Sequence, residues 1–350
     1  TSVFIADQAG TGNFSAWRNG PALPEARTNA AAVFLNGVVY VLGGSDASGA
    51  PTDSTFVATV DAATGEIGDW RLAADAQLPL ALPAARTGLA VVPAPDGIIA
   101  VGGSDTNGPT TSVWKSTLDK AGKPGAWAVQ APLARPQSDA GAFLNGNFLW
   151  LVGGTDANGA SGAVQRGEIG TAGDDLGKVV RWGLRDGPPN LPVARSDAAT
   201  FAANGVFYVA GGTDGTSPKS ELYWATPDSR GEIPEWKHLP QSDLPTAGLA
   251  GSAALVSGAN AFLIGGQTST QVNAQSLRTN LAPQPPFFQL GLVGATVPAL
   301  KIEGEIGQQL GYLNAAAVGT IDFVILVLIG WAFAHKEQSL AMWRRLRRRS

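Results

Sequence analysis

The sequence predicts an all-β domain built from repeated four-stranded sheets, followed by one transmembrane helix. Three observations support this prediction. Glycine (45) and proline (23) make up about a fifth of the 350 residues, which is typical of short strands joined by tight turns. A short apolar run ending in Gly-Gly occurs five times, and an apolar segment of 22 residues lies near the carboxyl end. The composition therefore excludes a chain that is disordered throughout.

The Gly-Gly pairs mark an internal repeat of about 55 residues. Each pair follows an apolar run such as VVYVLGG, a polar turn such as Asn36-Gly37 and, further upstream, a Leu-Pro or Ala-Arg phrase. Five occurrences in phase are a strong signal, whereas one pair alone is weak. The first glycines, spaced by 59, 51, 58 and 54 residues, are Gly43, Gly102, Gly153, Gly211 and Gly265. The tryptophans of the five units are Trp17, Trp70, Trp127, Trp182 and Trp236.

Each unit contains four strand-sized pieces. In the first unit these are residues 30–35, the run before Gly-Gly, residues 55–60 and the piece that carries the tryptophan. A single four-stranded sheet cannot bury both of its faces, whereas sheets stacked radially bury them and leave only short edges. Small residues such as Ala30 and Ala31 suit inner strands that crowd near an axis. The sequence therefore predicts a β-propeller, with the tryptophans packed between blades.

These motifs resemble the kelch-repeat β-propellers, whose blade signature is a double glycine that ends the second strand and an aromatic residue further on. The resemblance covers roughly residues 1–270 and implies a fold rather than a function. The chain opens on a third-and-fourth-strand pair, and residues 250–266 supply a first-and-second pair, so we expect both to join in one blade. Five blades are favoured. Six are the alternative if residues 270–293 add strands or if upstream residues exist.

Four segments are predicted: a kelch-like propeller (1–269), a connector with a membrane-proximal stretch (270–312), a transmembrane helix (313–334) and a basic tail (335–350). The helix holds one charged residue, and 22 residues at 1.5 Å each give about 33 Å, enough for a hydrocarbon core of about 30 Å. A buried helix of a soluble domain is the alternative. The apolar stretch 286–300 is too short to span and is read either as an outer strand or as a stretch on the membrane surface.

Charge predicts the orientation. Residues 336–350 hold six of the 24 basic residues and one acidic residue, whereas the rest of the chain holds 18 basic and 27 acidic residues, a net charge of −9. An acidic body argues against nucleic-acid binding. By the positive-inside rule the tail is cytoplasmic and the propeller is exported. We therefore expect a single-pass protein of a bacterial inner membrane, with a periplasmic or exoplasmic propeller and a removed or upstream signal. The tail residues that carry this prediction are Lys336, Trp343, Arg344 and Arg345.

Asp322 is a carboxylate inside the predicted helix. At the centre of a bilayer it costs about 2.5 to 3.5 kcal/mol unless it is paired, so a basic or hydrogen-bonding group of a neighbouring membrane subunit is one interpretation. The alternative places Asp322 near the outer headgroups. Small residues such as Gly319 and Gly330 allow another helix to approach closely. Other membrane subunits and the lipid bilayer are therefore the predicted partners.

Arginines recur 16 residues before three of the Gly-Gly pairs. In kelch domains that bind acidic peptides, arginines before the inner strand line the central pocket, so the resemblance implies a partly basic rim. The alternative is that they pair with loop aspartates or backbone carbonyls. The third unit has Gln137 at that offset and the fifth has Leu249. The candidate residues are Arg27, Arg86, Arg195 and, displaced by two positions, Arg135.

Metal and catalytic chemistry receive little support. The absence of cysteine, with only His238 and His335, excludes thiolate and multi-histidine sites and, among kelch enzymes, the copper radical oxidases. We interpret His238 as structural and predict no cofactor. One aspartate follows four of the Gly-Gly pairs, and capping of the loop is favoured over weak calcium binding. These aspartates are Asp46, Asp105, Asp156 and Asp214.

The sequence thus favours a non-catalytic accessory or scaffold subunit of a larger membrane complex, docked through its helix and through propeller faces. The alternative is a surface module that binds a glycan or an acidic peptide. An envelope carbohydrate isomerase or lyase ranks third.

Overall fold

The computed structural model describes residues 1–8, 14–183, 189–273 and 276–281, which form an all-β propeller of five blades. The predicted all-β propeller with five blades is confirmed. The compact unit extends from Thr1 to Leu281. It therefore includes a strand at residues 276–280, a part of the chain that the sequence assigned to the connector.

The first three blades each contain four antiparallel strands that follow chain order from the axis outward. Blade 1 contains β3 (Ala31–Leu35), β4 (Val38–Leu42), β5 (Thr55–Thr59) and β6 (Arg71–Leu72). Blade 2 contains β7 (Ala90–Ala94), β8 (Gly97–Val101), β11 (Val113–Leu118) and β12 (Pro124–Val129), with a small hairpin of β9 (Ser104–Asp105) and β10 (Gly108–Pro109). Blade 3 contains β13 (Gly141–Asn145), β14 (Phe148–Val152), β17 (Val164–Ile169) and β18 (Val179–Trp182), with a hairpin of β15 (Thr155–Asp156) and β16 (Gly159–Ala160).

Blade 4 is again four-stranded, whereas three strands of blade 5 are described. Blade 4 contains β19 (Ala199–Ala203), β20 (Val206–Ala210), β21 (Leu222–Ala225) and β22 (Lys237–His238). Blade 5 contains β23 (Ala253–Ser257), β24 (Asn260–Ile264) and β25 (Ser276–Asn280). Two short 3₁₀ turns lie at Gly173–Asp175 and Pro240–Ser242. In every blade the Gly-Gly pair follows the second strand, as the sequence predicts.

The amino-terminal strands do not join blade 5, so the expected closure within one blade is wrong. β1 (Phe4–Ile5) and β2 (Arg18–Asn19) form a separate two-stranded sheet, because β25 already occupies the third place of blade 5. On one side Phe14 packs against Phe262 of β24, with 4.5 Å between ring centroids. On the other side the Trp70 indole donates a hydrogen bond of 3.0 Å to the carbonyl of Pro21. The pair therefore contacts both blade 5 and blade 1.

The core consists of apolar clusters between successive blades. Stacked rings of Phe143 and Phe207, 4.4 Å apart, join blades 3 and 4. Tryptophans extend these clusters outward: Trp127 packs between blades 1 and 2, and Trp236 between blades 3 and 4. Burial of such large side chains stabilises these interfaces, which agrees with the packing role predicted for Trp127 and Trp236. Trp17 is 46% exposed, so the same prediction is wrong for the first tryptophan.

Backbone hydrogen bonds beside the Gly-Gly pairs link one blade to the next. The N–H of Gly44 donates to the carbonyl of Arg86 at 2.8 Å, and the N–H of Gly212 donates to that of Leu249 at 2.8 Å. Gly103 and Gly154 make the same bond to Gln137 and Arg195. The preceding glycine lies so close to the same carbonyl that a Cβ atom would be 2.2 to 2.6 Å from its oxygen. Glycine is therefore required by space as well as by its left-handed backbone.

The fifth Gly-Gly pair lacks this contact among the described residues. A Cβ atom on Gly265 would meet nothing within 4 Å, and no backbone hydrogen bond joins Gly266 to Arg27 there. Within the described part of the chain, the backbone links are thus made at four interfaces and are missing between blades 5 and 1, where the β1–β2 sheet lies.

No helix within the described ranges is long and apolar enough to cross a bilayer. The predicted membrane helix, the stretch 286–300 and the basic tail fall outside those ranges, and their assignments stay predictions. The candidate residues concerned are Gly319, Asp322, Gly330, Lys336, Trp343, Arg344 and Arg345.

The glycine contact predicts an unequal response to the same substitution in two repeats. Gly153→Ala combines a left-handed φ of 67° with a contact of 2.6 Å to the Arg195 carbonyl, so we expect a loss of about 3 kcal/mol in the free energy of unfolding. Gly265→Ala has a similar φ of 70° and free space, so about 1 kcal/mol is expected. Urea unfolding of both variants measures the difference, and equal losses would contradict the packing role of the contact.

Candidate functional site at the propeller axis

The three repeated arginines lie inside the blades. The exposed fractions of the Arg27, Arg86 and Arg195 side chains are 2%, 7% and 0%. Each guanidinium donates to the carbonyl of the residue before it and to a side chain next to the third strand of its own blade. These acceptors are Ser54, Ser112 and Glu221. Each also lies over an aromatic ring of its own blade. The structure therefore places these arginines in packing contacts, and their ligand-binding role stays a prediction.

Gln137 takes the place of the arginine in the third unit. Its Nε2 donates to the carbonyls of Gly153 and Ala163, and its Oε1 accepts from Gln165 at 2.6 Å. Arg135 lies at the exposed surface nearby. The displaced arginine is thus not brought together with the other three.

The loop aspartates form side-chain turns. Each accepts the backbone N–H two residues further on, at 2.7 to 2.9 Å. For Asp46 the Ser48 hydroxyl and backbone bonds lower the pKa, and for Asp214 the Lys219 ammonium does so most strongly. Within the ranges the structure describes, no group of three or more potential metal ligands occurs. The geometry is that of loop caps, and calcium binding stays a weak prediction.

Five left-handed residues surround the axis. Each lies at the start of its inner strand with φ between 50° and 68°, two positions after a member of a set that we call the arginine column. The arginine column comprises the residues 16 positions before each Gly-Gly pair: Arg27, Arg86, Gln137, Arg195 and Leu249. The N–H of Gly88 donates to the carbonyl of Asn29 at 2.9 Å, and that of Gly251 to Asp197 at 2.8 Å; two further bonds connect the others. We call this set the axial ring: Asn29, Gly88, Asp139, Asp197 and Gly251.

The surroundings of the two aspartates of the axial ring disfavour their ionised form. Burial raises the pKa of Asp139, and the hydroxyl of Ser138, which donates to its Oδ2 at 2.8 Å, only partly opposes this. Burial also raises the pKa of Asp197, and the neighbouring Asp139 carboxylate raises it further. Among the residues that the structure describes, no cation contributes to either pKa shift. Shifted carboxylates of this kind are typical of functional positions.

A polar cavity opens beside Asp197. Its volume is about 770 Å³, and it extends from the axial ring to the loops after the second strands of blades 4 and 5. Hydroxyl and amide groups dominate its wall. Asp197 is itself exposed to solvent in this cavity, so the surrounding protein desolvates its carboxylate only in part while still raising its pKa. We call it the axial cavity, and its polar lining includes Asn29, Asp197, Thr213, Thr216, Gln267 and Thr268.

Sequence reasoning missed the axial ring, although a signal was present. The residues two positions after the arginine column are Asn, Gly, Asp, Asp and Gly, the residue types that tolerate a positive φ. A repeated arginine is visible as a charge in the sequence, whereas the need for a positive φ becomes visible only in the fold. His238 lies at the outer strand of blade 4, where its Nε2 is 2.8 Å from Asp243 Oδ1, away from the axial cavity.

Comparisons with known proteins support the fold. Residues 26–60, which cover most of blade 1, match the family described as Kelch motif. Chains of known structure that match number 293; one is the structure of YjhT, which is 16% identical, with 79% of this chain and 87% of YjhT covered and a TM-score of 0.58. At this identity the likeness shows the fold alone. The curated proteins contain no match.

A packing role for the arginine column predicts a loss of stability. Arg195→Ala removes a fully buried guanidinium from Glu221, 2.8 Å away, and we expect about 3 kcal/mol less free energy of unfolding. Arg135→Ala, at an exposed position of the third unit, should change it by less than about 0.5 kcal/mol. Denaturant titrations measure both. A loss of less than about 0.5 kcal/mol for Arg195→Ala would contradict the packing role of Arg195.

The raised pKa of Asp197 predicts a dependence of stability on pH. Because the folded state holds this proton more tightly than the unfolded state, its ionisation destabilises the fold as pH rises through the raised pKa. Asp197→Asn should therefore be more stable than the native chain at pH 7, and the difference should vanish toward pH 3.8, the ordinary value. Asparagine already occupies the equivalent position 29 at a φ of 50°.

Asp61→Asn is the matched control. Backbone and hydroxyl hydrogen bonds of Thr64 lower the pKa of Asp61, so this substitution should destabilise at pH 7. Thermal melting between pH 4 and 8 shows both signs, and a loss of stability for Asp197→Asn would contradict the electrostatic assignment.

Proposed function

We propose that this chain is a non-catalytic protein–protein interaction module that works as an accessory or scaffold subunit of a larger membrane complex. The kelch motif and the five-blade propeller support the first part. Propeller folds serve many functions, so the argument for binding rests on the site rather than on the fold.

The axial cavity is the observation that carries the proposal. It is open, polar and formed by loops of blades 4 and 5 together with Asn29. The N–H of Gly251 donates to the carbonyl of Asp197 and so links blades 4 and 5 beside the cavity. Preformed sites bind at lower entropic cost than mobile ones. The carboxylates of Asp139 and Asp197 and the net charge of −9 outside the tail favour a partner loop that carries a lysine or an arginine.

The membrane part of the proposal rests on the sequence. A helix at 313–334 with a cytoplasmic tail would place the propeller on the outer side of a bacterial inner membrane. Asp322, with Gly319 and Gly330, would contact a neighbouring membrane subunit. The propeller and the helix would then bind the same complex, one outside the membrane and the other within it.

Glycan binding at the axial cavity is the second candidate function. The hydroxyl and amide groups of Thr213, Thr216 and Gln267 are suited to sugar hydroxyls as well as to peptide groups. An acidic peptide is less favoured, because the arginines proposed to hold it are buried in the blades.

Co-purification tests the role of the propeller. The full chain, isolated from its native membrane in mild detergent, should bring down partner proteins in stoichiometric amounts. Asp197→Asn should weaken this binding about tenfold, which corresponds to the loss of one charge pair. Asp61→Asn lies in the loop after the third strand of blade 1, at the opposite end of the sheet, and should leave binding unchanged. Equal recovery with both variants, or binding of glycans alone, would contradict the proposal.

Asp322→Leu tests the role of the helix. If Asp322 meets a polar group of a neighbouring subunit, the variant should lose membrane-embedded partners while its propeller keeps its melting temperature. Asp322→Asn is the control, because an amide keeps a hydrogen-bonding group at that position. Unchanged association of Asp322→Leu would exclude docking through this residue.

A further inference from the structure

The β1–β2 sheet occupies the position of the outer half of a blade beside blade 1. The Trp70 indole donates to the Pro21 carbonyl at 3.0 Å, and Pro21 lies six residues before Arg27, the arginine-column member of blade 1. The indoles of Trp127 and Trp236 make the same bond, at 3.2 and 2.9 Å, to the carbonyl six residues before the column member of their own blade. Blade 1 thus contacts β1–β2 as these later blades contact the blade before them.

Backbone pairing within β1–β2 repeats that of a third and a fourth strand. Ile5 pairs with Arg18 as Val57 pairs with Arg71 in blade 1, and a tryptophan precedes each arginine. In both sheets the carbonyl two residues before the first member of the pair accepts an N–H bond of 2.8 Å. β1 is therefore a third strand, and the first and second strands that would pair with its other edge do not occur among the described residues.

Phe4 of β1 lacks the cover that its counterpart in blade 1 has. By this register Phe4 corresponds to Phe56, which is fully buried and lies under the Arg27 guanidinium, 4.8 Å from the ring centroid. Phe4 is 58% exposed. In blades 2 and 4 an arginine of the column also lies over an aromatic ring of the third strand. An arginine is thus the side chain that fits over Phe4.

Blade 5 has an uncovered apolar side chain toward blade 1. Leu255 of β23, four residues after Gly251 of the axial ring, is 46% exposed. In blades 1 to 4 the residue at this position is 3 to 6% exposed, because it packs against the following blade. Ala254 and Val256 pack against blade 4, so the alternation of side chains along the strand turns Leu255 to the opposite side. The buried counterparts of Leu255 are Val33, Val92, Phe143 and Phe201.

Four backbone groups near the axis have no hydrogen-bond partner among the described residues. At the other four interfaces the second glycine of the pair donates to the arginine column, and each axial-ring N–H donates to the ring carbonyl of the preceding blade. Between blades 5 and 1 neither bond is made. The groups left over are the N–H groups of Gly266 and Asn29 and the carbonyls of Arg27 and Gly251. We call the space bounded by these groups, Phe4 and Leu255 the blade gap.

We propose that a partner protein inserts a β-hairpin into the blade gap and so supplies the first and second strands of this blade. The second strand of the hairpin adds to the free edge of β1, and an arginine before the first strand lies over Phe4. The carbonyl of that arginine accepts from Gly266, and a left-handed residue two positions later bonds to Gly251 and Asn29. A Gly-Gly pair after the second strand donates to the Arg27 carbonyl.

The blade gap has the properties of a site for strand addition. β1 presents an edge that no described strand covers, and main-chain bonds to such an edge supply affinity while side-chain positions supply specificity. Phe4 and Leu255 add exposed apolar surface, which marks interaction sites. The contacts that repeat at four blade interfaces continue across the gap, so an inserted hairpin meets bonding groups that are already in place.

The inference goes beyond the proposed function, because it concerns a second surface and does not require the carboxylate of Asp197. Asn29 and Gly251 border both the blade gap and the axial cavity. A partner that inserts a hairpin therefore also reaches the axial cavity.

A synthetic peptide tests the proposal, because the chain itself contains hairpins of the required kind. The probe is a copy of residues 84–103, the inner hairpin of blade 2, which carries an arginine, a left-handed glycine and the pair Gly102-Gly103. The labelled peptide should bind saturably to the full-length chain in mild detergent, measured by fluorescence anisotropy, and should protect the Gly266 amide from hydrogen exchange. The control peptide carries sarcosine in place of Gly103. It lacks the N–H that would donate to Arg27 and should bind at least about tenfold more weakly.

Substitutions in the walls of the blade gap give a second readout. Phe4→Ala and Leu255→Ser remove apolar surface that the fold leaves exposed, so each should weaken peptide binding about five- to tenfold with little change in melting temperature. Val129→Ser is the matched control. Val129 is 77% exposed on the outer strand of blade 2, and its substitution should leave peptide binding unchanged.

Each other outcome overturns the proposal. The absence of saturable binding does so, as does binding that leaves the Gly266 amide unprotected or that is equally strong for the sarcosine peptide. A Gly266 amide already protected in the free monomer would show that another part of the chain fills the gap. Protection that appears only in concentration-dependent dimers would assign the gap to a second copy. Co-purification with Asp197→Asn tests the axial cavity separately, so failure of the peptide leaves the proposed function to its own test.

Discussion

The propeller depends on one backbone contact between neighbouring blades. The second glycine of a Gly-Gly pair donates its N–H to a carbonyl of the next blade, while the first glycine packs against that same carbonyl. The carbonyl belongs to the arginine column, so the Ala-Arg phrase and the Gly-Gly pair of adjacent repeats are two halves of one interface. This is why both motifs recur in phase, and why no residue with a Cβ atom fits in place of the first glycine.

The open interface has the opposite character. Between blades 5 and 1 the described residues provide neither the glycine contact nor the axial hydrogen bond, and the β1–β2 sheet bridges the outer part instead. Hydrophobic packing against Phe262 and Trp70 is less directional than backbone pairing, so this interface should be the first to open. It lies beside Asn29 and Gly251, which also border the axial cavity.

The fold could be predicted from the sequence because periodicity is visible in residue types. Gly43 and its counterparts, the apolar runs and the tryptophans predicted the number of blades and the order of strands within them, although β25 was assigned to the connector. The position of β1 and β2 could not be predicted, because strand pairing across 250 residues leaves no local signal. The site was missed for a related reason: the arginines attracted a functional interpretation, whereas Arg195 is buried beside Glu221. Asp139 and Asp197 occupy positions with a positive φ. The sequence shows that both are carboxylates, but only the folded ring shows that they lie close to each other.

The proposed binding function depends on two features of the propeller, the rigid contacts between its blades and the carboxylates of the axial ring. The glycine contacts hold the blades, and the axial ring carries two carboxylates whose pKa values are raised by burial. Hydrogen exchange of the glycine amides tests the central claim most directly. The N–H groups of Gly44, Gly103, Gly154 and Gly212 should exchange only through global unfolding, while that of Gly266 should exchange faster by orders of magnitude. Equal protection of Gly266, or rapid exchange of the other four, would contradict the account.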